Sequence, residues 1–81
     1  MDKATDNIIA ALACVNASFN RWQTASDCLE KNLDRSAHRA LKEALTALDL
    51  ASHFVETARM QTYIEVSEIG ADLYYEHEAN D

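Results

Sequence analysis

The side chains best suited to chemistry in this chain are two cysteines, Cys14 and Cys28, and three histidines, His38, His53 and His77. Two thiols with nearby imidazoles could hold a metal, and a thiolate beside a base could act as a nucleophile. The spacing argues against both. There is no CxxC, no HExxH and no ExxH, and a metal site in a helical bundle needs several ligands converging from facing helices. On a helix Cys14 and Cys28 lie two heptads apart, on one face but ~21 Å from each other, beyond the reach of a disulfide within the chain. Nothing beside either thiol forms a nucleophile motif. A GxSxG elbow and a glycine-rich phosphate loop are missing too. The residues therefore predict no catalytic site, no cofactor and no metal, with His53 and Glu56 forming an ordinary surface pair.

The elements that carry these residues follow from what the chain lacks. With no proline and one glycine, Gly70, nothing interrupts helix formation strongly, and the fold class expected is all-α. Ile8, Leu12, Val15, Phe19, Trp22, Ser26, Leu29 and Leu33 recur at alternating steps of four and three, the signature of one helix from about residue 3 to 33. Ala11, Ser18 and Ala25 lie beside that stripe and permit close helix approach. Asn32 is suited to a left-handed C-cap and Asp34 or Ser36 to an N-cap, so a turn is expected over 34–36. A second helix over about 37–67 then carries Leu41, Ala44, Leu45, Leu48, Ala51, Val55 and Ala58, with Ala47 and Phe54 widening the face.

These elements make an antiparallel helical hairpin, a single domain over 1–81. Since 81 residues bury a limited core, pairing of two hairpins into a four-helix bundle is the expected remedy, with Ile8, Leu12, Val15, Phe19, Trp22, Leu41, Leu48 and Val55 as the core and dimer residues. The first helix runs out near residue 67 of the second, so an extension over 68–81 overhangs. It carries Ile69, Leu73, Tyr74 and Tyr75, which either fold back as a short third helix, hinged near Met60 to Tyr63 or at Gly70, or meet a partner. The partner is the favoured reading. Residues 76–81 are expected to fray.

Fourteen acidic residues against seven basic ones give a net charge of −7, which opposes binding to nucleic acid. The charge is also unevenly placed. Lys31, Arg35, Arg39 and Lys42 surround the turn, whereas beyond Met60 the charged residues are Glu65, Glu68, Asp72, Glu76, Glu78 and Asp81. The apolar run Ile8 to Val15 is too short to cross a bilayer, which takes ~20 residues. Lys3 ahead of Ala11-Leu12-Ala13-Cys14 only faintly suggests an export signal, because Asp2 and Asp6 carry the wrong charge. The expected compartment is the cytoplasm, with free thiols.

In architecture the chain resembles small hairpins that pair into four-helix bundles, such as the plasmid-copy-number regulator Rop, which also has an acidic C-terminal end. That resemblance implies a bundle face that binds nucleic acid, and form alone does not fix function. The reading the residues favour is a small acidic regulator of the bacterial or phage inhibitor and adaptor type, which binds another protein through Ile69, Leu73, Tyr74 and Tyr75. Glu65, Glu68 and Asp72 would steer that encounter. A Rop-like bundle and an acidic mimic of nucleic acid are the alternatives.

Overall fold

The computed structural model describes residues 2–80, with side chains for residues 3–75. The described residues form two helices, α1 (Asp2–Glu30) and α2 (Asp34–Asn80). The molecule measures 72 × 15 × 14 Å. That length is the length of α2, whose 47 residues advance ~1.5 Å each.

The connection is shorter and earlier than the apolar spacing suggests. Asn32 adopts the left-handed conformation, with φ 61°. The Asn32 N–H donates to the Leu29 carbonyl at 3.1 Å and the Leu33 N–H to the Cys28 carbonyl at 2.8 Å. Those two bonds form a Schellman motif, which satisfies carbonyls at the end of α1 and reverses the chain. Leu33 therefore lies beyond α1, although it continues the apolar periodicity. The Leu33 carbonyl accepts the Ala37 N–H at 3.0 Å, so Asp34 to Ser36 form the first turn of α2 and do not form the connection. Asp34 there favours the positive end of the helix dipole.

No short third helix forms. α2 continues through Met60 to Tyr63 and through Gly70, because no proline or left-handed residue stops it. The side chains of residues 76–80, and Asp81 altogether, belong to the stretch expected to fray and lie outside the described part.

The helices meet along a seam of small residues. Ala11, Ser18 and Ala25 on α1, and Ala37, Ala44, Ala51 and Ala58 on α2, repeat every seven residues and are all buried, together with Ala40. Short side chains at each contact let the two axes approach closely. No large side chain is buried among the described residues. The seam therefore uses the residues that the periodicity had placed beside the main stripe, and the main stripe turns onto a face of the two-helix ribbon.

Candidate interaction surface

Heptad spacing determines what lies on each side of the seam. One residue class flanking it on α1 reads Ile8, Val15, Trp22 and Leu29, and the next reads Leu12, Phe19 and Ser26. The matching classes on α2 read Leu41, Leu48, Val55, Thr62 and Ile69, then Leu45, Ser52, Arg59, Val66 and Leu73. In antiparallel helices these classes fall on the same side. A groove of about 590 Å³ joins Ile8, Leu12 and Val15 of α1 to Val55, Thr62 and Val66 of α2. A smaller one continues past Ala4 to Ile69.

This face is open in the single chain. Ile8, Leu12, Val15, Phe19, Trp22, Leu48 and Val55 are between 41% and 63% exposed, and Leu41 is half-buried. Phe19 and Trp22, expected as core and dimer residues with the others, do not form the core of the single hairpin. Fully burying such a side chain contributes about 1.5–3 kcal/mol, so seven left half exposed forgo on the order of 5–10 kcal/mol.

The other side of the seam carries the polar contacts between the helices, beside Leu50, Phe54 and Ile64. The Asn7 side-chain amide donates to the Gln61 Oε1 at 3.0 Å, and the Arg21 Nε pairs with the Glu43 Oε2 at 3.0 Å. Cys14 and Cys28 are free, half-buried thiols on this side. Among the described residues no three His, Cys, Asp or Glu side chains group to hold a metal. His53 packs edge-on against Phe54, with centroids 5.9 Å apart. Its expected partner Glu56 instead accepts two bonds from the Arg59 guanidinium, at 2.9 and 3.3 Å, because a planar fork can engage both carboxylate oxygens. Hydrogen bonding to Arg59, and then its positive charge, lower the Glu56 pKa.

The expected partner-binding residues divide between surfaces. Glu65 is half-buried where the seam ends, and Glu68, Ile69, Asp72, Leu73, Tyr74 and Tyr75 are exposed on the overhanging part of α2. Ile69 and Leu73 prolong the apolar face. Tyr74 lies near the opposite side, as does Tyr63, and the Tyr74 and Tyr75 rings meet edge to face at 6.0 Å. Ile69 and Leu73 thus lie on a different side of α2 from Tyr63 and Tyr74. Val66, Met60 and Ile64 are also exposed, and the heptads through Leu73 for Val66 and through Tyr74 for Met60 are the signal that marks two of them.

No helix among the described residues is long and apolar enough to cross a membrane. No protein-family model, curated protein or solved structure matches this chain.

Proposed function

We propose that this chain is a protein-interaction module that pairs through its apolar face into a four-helix bundle and acts as a small acidic regulator, binding another protein and modulating or inhibiting it. One observation carries the reading: the hairpin spends alanine and serine on its own seam and leaves Ile8, Leu12, Val15, Phe19, Trp22, Leu48 and Val55 on one exposed, continuous face. Contiguous apolar surface of this kind marks an interaction site. A second copy offers the same face, and a two-fold axis makes such a patch complementary to itself. The overhang of α2, with Ile69 and Leu73 continuing the face, lengthens the surface available to a partner.

Light scattering over a concentration series tests the pairing. The expected mass is twice the 9.1 kDa of one chain, falling to one chain in a Leu12→Gln, Val15→Gln variant. A wild-type monomer at high concentration would refute self-association and leave the face to a different protein.

Nucleic-acid binding ranks second, on the exposed basic tip of Lys31, Arg35, Arg39 and Lys42. Four cations on a chain of net charge −7 make a small footprint. Binding to structured RNA or duplex DNA at low salt, weakened by Arg35→Ala and Arg39→Ala, would promote this reading.

A further inference from the structure

Charge on the apolar face is sparse and paired in sign. In the residue classes that make this face, those of Ile8 and Leu12 on α1 and of Leu41 and Leu45 on α2, the described side chains include one acid, Asp34, and one strong base, Arg59. Asp34 stands one heptad before Leu41, in the first turn of α2, and Arg59 two heptads after Leu45. The helix between holds them ~37 Å apart, so they cannot meet within one chain. The Arg59 Nε and Nη2 bond to the Glu56 carboxylate at 3.3 and 2.9 Å. That leaves Nη1 for a further acceptor, since a guanidinium carries five N–H groups. A charge taken into an apolar interface without an opposite charge is costly, and for that reason a lone polar residue in a helix seam fixes register.

Two-fold symmetry satisfies both residues at once. When two copies of α2 run antiparallel across the face, Asp34 of each meets Arg59 of the other if the axis lies midway between them, beside Ala47. The same register sets Leu41 against Ser52 and Leu45 against Leu48. A second, independent feature of the chain gives the same axis. The Arg21–Glu43 and Asn7–Gln61 contacts show which residues of the two helices lie level, and by them the axis is level with Ser18 and Phe19. Those residues are the midpoint of the α1 stripe from Ile8 to Leu29, so the partner's α1 covers the whole stripe and Phe19 of both copies lies at the centre. A pair centred on the middle of α2, at Thr57, would bring the two Arg59 side chains towards each other and leave Phe19, Trp22 and Leu29 beyond the partner's α1.

We infer that the hairpin pairs antiparallel with a second copy about an axis at Ala47 and Phe19, held in register by reciprocal Asp34–Arg59 contacts between the copies. This deepens the proposed function, resting on its self-pairing and assigning the orientation, the register and the residues that select them. It also divides the face. Val66, Ile69 and Leu73 lie past the partner's turn, outside the pair at each end, and stay available to the protein that is regulated.

Charge exchange in the full chain tests the register, read as the dissociation constant of the pair by light scattering at low salt. In a pair of Asp34→Arg chains both contacts join like charges, and so they do in a pair of Arg59→Asp chains. Each variant alone should pair about fivefold more weakly than the wild type, or worse, with helicity unchanged. Mixed one to one, the two variants should pair with each other within about twofold of the wild type, because both contacts of the mixed pair again join opposite charges. A variant that failed only by misfolding would not recover on mixing. The inference is overturned if the wild type is a dimer and Asp34→Arg pairs as tightly, or if mixing restores nothing; self-pairing in some other register would then stand. A wild type that stays monomeric at every concentration would overturn the self-pairing, and this register with it.

Discussion

Asn7 and Gln61, 54 residues apart in sequence, are joined across the seam by a 3.0 Å hydrogen bond, and the Asn7 amide also donates to the Lys3 carbonyl at 2.8 Å. A seam made of alanines and one serine has little to distinguish one register from the next turn along. Directional contacts such as this one and Arg21 with Glu43 distinguish them. Asn7→Ala should therefore lower stability by about 1 kcal/mol, the usual worth of a partly buried hydrogen bond. Chemical unfolding at one fixed chain concentration would measure it, and a double-mutant cycle with Gln61→Ala should return a coupling of about 0.5–1 kcal/mol. Strict additivity would show that the bond sets nothing.

The alanine seam makes a sharper prediction. Ala51→Leu puts a large side chain where the helices meet closely, and overpacking of this kind costs about 1–3 kcal/mol. Ala13→Leu, on the exposed outer side of α1, should change stability by less than about 0.5 kcal/mol. Equal effects on the melting temperature would mean that the seam is not where the hairpin closes.

That contrast also shows what could be read from the residues alone. The hairpin was legible, since proline is missing and Asn32 offers a left-handed stop between two apolar periodicities. The choice of seam was not. Ala11, Ser18 and Ala25 repeat at the same interval as Ile8, Val15 and Trp22, and periodicity cannot rank two parallel stripes. Closeness of approach, which is a property of the pair of helices, favours the small one. The end of α2 escaped for another reason. Matching its length to α1 shows where α1 ceases to cover it, near residue 67, but a helix ends where capping or a breaker ends it, and Gly70 alone is too weak. The acidic and apolar overhang was legible as composition, and its division into an inner and an outer face needed the seam as reference.

Acidification tests the Glu56–Arg59 pair. Arg59 lowers the Glu56 pKa in the folded chain, so the carboxylate's contribution is present above its ordinary value and is lost as pH falls through the lowered one. Glu56→Gln should melt slightly below the wild type near neutral pH, and the gap should close at acid pH. Both groups are exposed, so the gap should be small and shrink with added salt. A gap that widened on acidification would reverse the assigned sign.

Charge layout predicts the orientation of the proposed pair. If two hairpins lie face to face and antiparallel, the end of one that carries Glu68 and Asp72 comes to the same end of the pair as the basic tip of its partner that carries Arg39 and Lys42. A parallel pair would gather both basic tips at one end and both acidic ends at the other, where like charges repel. The pair should therefore dissociate more readily as salt rises, and Arg39→Glu with Lys42→Glu should weaken it severalfold at low salt. Adding Glu68→Lys and Asp72→Lys to that variant should restore the affinity, because antiparallel neighbours then exchange signs together. Restoration is the decisive readout: a parallel pair bearing all four changes would still oppose like charges at each end, and its dissociation constant would not recover.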